Sequence, residues 1–403
     1  MFDPRALFLL LWGSQMVGYL FSGGQFNPFE LQTWLIFLVG VAGYFIGCSL
    51  AQSRALGPYH GTGANAAFAS EAETLHFVRW FFRLAQLAYL IACAFAISQI
   101  VGLLGADALL SGDLARLRIS VVNDFVGDRE LFSSIRVFYF GVGLSVFQLA
   151  HARYFGGTER TVVMLLGLLS AVATTGRLYL LLFVLASAYL LYRQRIASRR
   201  AVGILFLCFV LLFFLFALLL EKGSDEGSML EQIVWNFQVY LLSSLACFND
   251  YVATGSQQTP GGILIPNAVR EVLRIVGIVM PEKPNLLPFA TVPLQCNTYT
   301  VLFPLFHDGG LVGVLLGMAL IGWFNTFVWF KQQLTSSPVV LFTYAVTLYP
   351  LAMSMFEDAY FSSPGFWVML WTPPVILSIA LRLKRAHSPR GLRTDVQRGK
   401  FAK

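Results

Sequence analysis

Arginines in unexpected places are the first residues in this sequence with a type and setting suited to chemistry. Arg177 sits in "LLSAVATTGRLYLLLFVLAS" (168–187), between two apolar runs. Its guanidinium is always charged, and its planar fork matches phosphate or carboxylate oxygens in pairs. Gly176 suits a tight turn and Thr174 or Thr175 suits a helix cap. Arg177 then falls near a helix N-terminus, where backbone N–H groups already favour an anion. The competing reading is an interfacial arginine reaching back to the headgroups. Arg116 and Arg118 stand two apart in "LARLRISVVND", either as an anion-binding pair or as a solvated one. Arg270 and Arg274 stand four apart in "PNAVREVLRIVGIVMP", on one face of an expected amphipathic helix. That helix is expected to lie on a membrane surface, to cap a cavity, or to pack on the bundle.

A second group could move protons. His307 and Asp308 lie in "QCNTYTVLFPLFHDGGLVGVLLG" (295–317). Pro304 and Gly309–Gly310 forbid one straight helix through this stretch. Broken backbone at membrane depth is tolerated where it lines a cavity or is buried in protein. His307 also reads as a satisfied interfacial histidine. Asp250 sits in "FNDYV", and Glu357 and Asp358 sit in "FEDAYFSSPG". The last two read first as a surface pair, with general-base duty as the alternative. The signatures of P-loop, zinc, dinucleotide and nucleophile-elbow sites are absent, as is an Asp-x-Asp pair. The expectation is therefore no metal and no cofactor.

The elements that must position these residues are helices in a bilayer. Of 403 residues, 57% are hydrophobic and 12% charged, with a mean hydropathy of +0.68. A soluble domain carries about a quarter charged residues. The reading is an all-α polytopic membrane protein, a single integral membrane domain over 1–403. Runs of about 20 apolar residues suggest about ten transmembrane helices, near 6–22, 32–51, 80–104, 135–152, 161–175, 178–193, 201–220, 309–330, 339–356 and 365–382. The first is read as an uncleaved span. Two connections are long, at 105–134 and 221–305, and the second is a large extracytoplasmic helical loop with amphipathic helices. No internal repeat is visible, which counts against a transporter.

Lys/Arg asymmetry orients the chain with both termini cytoplasmic, led by the basic tail 383–403. Both long loops then lie outside, with Arg116, Arg118, Arg177, Arg270 and Arg274 among the basic residues left there. The net charge of +7 reports this topology and no nucleic-acid partner. Cys247 and Cys296 fall in the same long loop and could pair there, with free thiols as the leading expectation.

The layout, "TTGRLYLLLF", "FNDYV" and "NTYTVLFPLFHDGGLVGVLLG" together resemble the Wzy-type O-antigen polymerases, the oligosaccharide repeat unit polymerases, over roughly 80–360. Thr175 stands where that family often has Ser, and "HDGG" stands where it often has an aromatic-Asp-Phe-Gly element. The resemblance implies a GT-C-like bundle in the bacterial inner membrane with an extracytoplasmic active site. It implies a glycosyltransferase that polymerises undecaprenyl-diphosphate-linked oligosaccharide repeat units into O-antigen or a related surface polysaccharide. A chain-length regulator is the implied partner, beside the lipid bilayer. Under that reading Asp308, His307 and Asp250 are the catalytic candidates, with Glu357 and Asp358 behind them. Arg177, Arg116, Arg118, Arg270 and Arg274 bind the diphosphate in place of a metal and stabilise it as it leaves. Asn297, Tyr299, Trp235 and Tyr240 bind sugar, the aromatic ones alternatively forming an interfacial belt. The alternatives are an O-antigen ligase that transfers glycan to lipid A core, or a transporter or flippase of lipid-linked oligosaccharide.

Overall fold

The computed structural model describes residues 2–22, 24–55, 71–105, 130–174, 177–207, 211, 229–255, 262–280, 287–293, 295–335, 337–361 and 364–387. Within them the chain is almost entirely helical, as hydrocarbon demands of a backbone that must satisfy its own hydrogen bonds. The helices are α1 (Pro4–Leu20), α2 (Leu31–Ala55), α3 (Glu71–Leu104), α4 (Glu130–Ala150), α5 (Gly157–Ala173), α6 (Arg177–Arg193), α7 (Met229–Ala253), α8 (Asn267–Ile275), α9 (Leu302–Leu334), α10 (Pro338–Met353) and α11 (Pro364–His387). A further helical stretch covers 199–207. A two-residue antiparallel ladder, β1 (Ala290–Thr291) with β2 (Gln295–Cys296), precedes α9.

Among the described residues, four helical segments are long and apolar enough to cross a membrane: Leu31–Arg54, Leu75–Leu103, Leu302–Leu334 and Pro364–Lys384. Shorter apolar helices, Ser134–Ala150, Leu178–Arg193 and Pro338–Met353, accompany them. The protein is an all-α membrane protein. Leucine, valine and phenylalanine side chains on α2, α3, α5 and α11 face outward, as a lipid-facing surface requires.

The interior holds two aromatic-rich clusters. One joins α3, α4, α5, α6, α10 and α11. The other joins α1, α2, α7, the small ladder, α9 and the residues after α10. The most extensive helix pairing is α2 with α9. Glycines permit it: a Cβ on Gly43 would lie 2.6 Å from the Leu315 carbonyl oxygen, and one on Gly47 only 1.9 Å from that of Ala319. Backbones in contact gain the dispersion energy that replaces the hydrophobic effect inside a bilayer.

The expected break in α9 is present, and its form is a reversal. Gly310 has φ 58° and ψ −151°, a conformation open essentially to glycine alone. A Cβ on Gly313 would meet the Leu305 carbonyl oxygen at 2.4 Å, and one on Gly317 the Leu305 side chain at 2.3 Å. Residues eight and twelve apart cannot touch along a straight helix, which rises about 1.5 Å per residue. The arm 302–309 therefore folds back along 311–318. Leu302 and Met318 both pack against Gly40, part-way along α2. Pro304 does not cause the reversal. It occupies the third position of α9, where its missing N–H has no intrahelical partner to lose.

Candidate active site

One end of the bundle gathers the ends of α1, α7 and α10 with the starts of α2, α6, α9 and α11. The backbone N–H of Val301 donates to the Ser354 carbonyl oxygen at 2.9 Å. Trp12 Nε1 donates to Ser354 Oγ, and Gln15 Nε2 donates to the carbonyls of Leu241 and Met355. Asn249 of α7 clasps the turn before α2, donating to the Pro28 carbonyl and accepting from Glu30 N–H. Tyr179 near the start of α6 packs on Tyr139 of α4 and Phe366 of α11, and Phe366 also meets Tyr349 near the end of α10. The opposite end holds other arginines. Arg5 bonds Asp3 and Gln52, Arg79 bonds the Tyr154 carbonyl, Arg83 pairs with Glu159, and Arg193 bonds Gln332.

His307 and Asp308 occupy the tip of the folded-back arm. His307 Nδ1 lies 2.8 Å from Asp308 Oδ1. Asp308 also accepts the backbone N–H groups of Ile263 (3.1 Å) and Leu264 (2.8 Å). A carboxylate is acceptor-only, so a neutral His307 facing it donates from Nδ1 and keeps its lone pair on Nε2. Nε2 accepts no bond from a described residue, and the side chain is 15% exposed. The ring sits among Tyr251 and Phe303, with Tyr299 stacked on Phe303 at 4.2 Å. This is the arrangement of a carboxylate-oriented histidine that can take a proton from one side.

The turn 262–265 is gripped from both sides. Asp308 holds its amides, and Arg270 holds its carbonyls: Nε donates to Ile265 (2.8 Å) and Nη2 to Gly262 (2.9 Å). Arg270 is buried by these contacts. Arg274, expected on the same face, is exposed and pairs with Glu271 at 2.9 Å. Tyr299 is buried and its hydroxyl donates to the Pro288 carbonyl. Burial, with Asp250 nearby, pushes its phenol up to about 12. Asp250 is half-buried on α7, and Asn297 is half-buried after β2. Trp235 lies on α7 fifteen residues before Asp250, about 22 Å along the helix. The described geometry does not bring it to His307. Tyr240 lies on α7 with its side chain outside the described residues. Arg177 is the first residue of α6, at this same end of the bundle. Its side chain lies outside the described residues, as do Arg116 and Arg118 entirely.

Two expectations are corrected. Cys247 and Cys296 are joined in a disulfide across 49 residues. Packing of α7 on the β1–β2 ladder brings them together, which their spacing alone does not reveal. Glu357 and Asp358 are not a surface pair. Asp358 is buried, its Oδ1 accepting the N–H groups of Tyr360 and Phe361 at 3.0 Å. Burial, then the neighbouring Asp358, raises the Glu357 carboxyl to about 7. The sequence reading also passed over Gln15, whose side chain ties α1 to α7 and to residue 355. A lone amide in an apolar span was the available signal.

The class of molecule is thus a helical membrane protein with an Asp–His pair on a folded-back arm, beside a turn held by Asp308 and Arg270. An O-antigen polymerase of Shigella dysenteriae is 30% identical to this chain over 207 residues, covering 49% of this chain and 50% of that protein. The chain thus spans about half the length of this curated relative. No family model matches the chain, and no solved structure matches it.

Proposed function

We propose that this protein polymerises lipid-diphosphate-linked oligosaccharide repeat units into O-antigen or a related surface polysaccharide. The observation that carries the reading is the similarity to the Shigella dysenteriae O-antigen polymerase. The His307–Asp308 pair supplies a fitting base. In the reaction an acceptor sugar hydroxyl forms a bond to the donor's anomeric carbon while the bond from that carbon to the lipid diphosphate breaks. His307 Nε2 takes the hydroxyl proton, and Asp308 is a positioning residue that sets the tautomer. The departing diphosphate gathers negative charge, which Arg177 and the N–H groups at the start of α6 stabilise without a metal. Arg116 and Arg118 add to that field. Tyr299 and Asn297 line the approach to His307, and Asp250 is the second base candidate. In this reading ten spans cross the inner membrane with the site end outward. A disulfide at that end suits an oxidising compartment, and the arginines at the opposite end suit the cytoplasm.

The test is turnover of purified protein with its undecaprenyl-diphosphate-linked repeat unit, with and without a chelator. Long chains should form in both, and Arg177→Ala should leave only single-unit product. Activity abolished by the chelator sinks the metal-free mechanism. Transfer to lipid A core without chain growth replaces the polymerase with the ligase.

A further inference from the structure

α8 is amphipathic, and it leaves its apolar flank open. Its contact with the protein is made through a polar side chain: Arg270 is only 8% exposed, holding the carbonyls of Gly262 and Ile265. Its apolar residues point away. Val272 is 61% exposed, Ile275 82% and Val279 84%, with Val269, Val276 and Ile278 also open. At 100° per residue, Val269, Val272, Leu273 and Ile275 share one flank of the helix, while Arg270, Glu271 and Arg274 share the other. The Glu271–Arg274 pair is largely exposed on that polar flank.

A helix in water buries its apolar flank and exposes its charges. Here the apolar flank is open while Arg270 is held inward, which suits a medium other than water over that flank. The spans of this protein present outward surfaces of the same composition, beginning at Leu31, the exposed first residue of α2. Asn249 ties the turn before Leu31 to α7, at the same end as the turn held by Arg270. Hydrocarbon suits such surfaces, since apolar side chains gain free energy on leaving water for acyl chains.

We propose that α8 and the following residues through Val279 lie in the bilayer interface, with Val269, Val272, Ile275, Val276 and Val279 in the acyl chains and Glu271–Arg274 at the headgroups. The turn 262–265 joins this anchor to Asp308 through the Ile263 and Leu264 amides, and Arg270 locks the joint. The anchor sets the depth of His307 relative to the membrane surface. A substrate whose reacting phosphate lies at the headgroups meets the histidine at that level. The anchoring is independent of the polymerase reading and survives its failure.

The experiment places a nitroxide at Val272→Cys, Val279→Cys or Glu271→Cys, with Cys48, Cys93 and Cys208 replaced by alanine and the disulfide kept. The full chain is reconstituted in phosphatidylethanolamine–phosphatidylglycerol vesicles. Labels at 272 and 279 should relax with oxygen and lose relaxation by a water-soluble nickel complex, while the label at 271 should respond to nickel. Nickel access at 272 and 279 equal to that at 271 overturns the proposal, because the flank is then in water. Shielding from both reagents also overturns it, because the flank is then covered by protein. Where the cysteine variants fail to fold, the unaltered protein is irradiated in vesicles carrying an acyl-chain diazirine phospholipid. Label on 269–279 supports the anchor, and its absence there with label on α2 rejects it.

Discussion

Asp308→Asn separates the orienting role of this carboxylate from its structural one. Asp308 Oδ2 accepts both Ile263 N–H and Leu264 N–H, and Oδ1 lies against His307 Nδ1. An asparagine that puts its oxygen at the Oδ2 position keeps both backbone donors. Its NH₂ then faces His307 and donates to Nδ1, so the ring proton moves to Nε2 and the base is lost. The two backbone bonds fall from charge-assisted to neutral, a stability loss of about 1–2 kcal/mol in total. The loss of a positioned base costs about 10²–10⁴-fold in turnover. Asp308→Ala differs in kind. It strands two N–H donors at about 1–3 kcal/mol each and releases the 262–265 turn. The assay is chain growth in proteoliposomes, normalised to folded protein, beside thermal midpoints for both variants. The reasoning fails if Asp308→Asn polymerises within a few-fold of the parent. It fails equally if both variants lose activity only in proportion to lost folded protein.

Other outcomes follow from packing, the disulfide and burial. Gly47→Ala drives a Cβ against the Ala319 carbonyl and should cost about 3 kcal/mol or more. Gly13→Ala on α1 meets nothing within 4 Å and should gain about 0.5–1 kcal/mol; similar melting points for the two would remove the case for backbone contact between α2 and α9. Cys247→Ser reopens a loop of 49 residues and should destabilise by about 4 kcal/mol on the chain-entropy account. Reductant should lower the melting point of the parent and leave that of Cys247→Ser unmoved. Glu357 titrates near 7 in the fold against 4.5 in its absence. The protonated carboxyl favours the fold, so its contribution is complete below about 4.5 and fades as pH rises through 7. Glu357→Gln should flatten that decline, worth up to about 3 kcal/mol. Parallel stability–pH curves for the two proteins would falsify the assignment.

Much of the fold was legible in the sequence because membrane helices are specified locally. A run of about 20 apolar residues must be helical in hydrocarbon whatever it packs against. The starts and ends read for α2, α6 and α10 therefore lie within a few residues of the observed ones. The break before Leu311 was legible for the same reason, since the Gly309–Gly310 pair acts on its own backbone. The amphipathic stretch between Pro266 and Pro281 announced itself by its period. The candidate bases His307 and Asp308 were visible as polar residues where the pattern had no use for them.

What the tertiary structure alone decided involves partners far apart in sequence. Asp308 finds its amides 44 and 45 residues away, and Cys247 finds Cys296 across 49. Gln15 bonds a carbonyl 340 residues on. No local period encodes such pairs, because they depend on which helix ends meet when the bundle closes. The same closure turns Arg270 inward and Arg274 outward, although the two share a helical face, and it buries Asp358 and half-buries Glu357 in a link that reads as surface. Composition and periodicity thus determined which of the described segments are apolar helices. Packing decided which of their polar residues face one another, and so gave His307 an oriented proton.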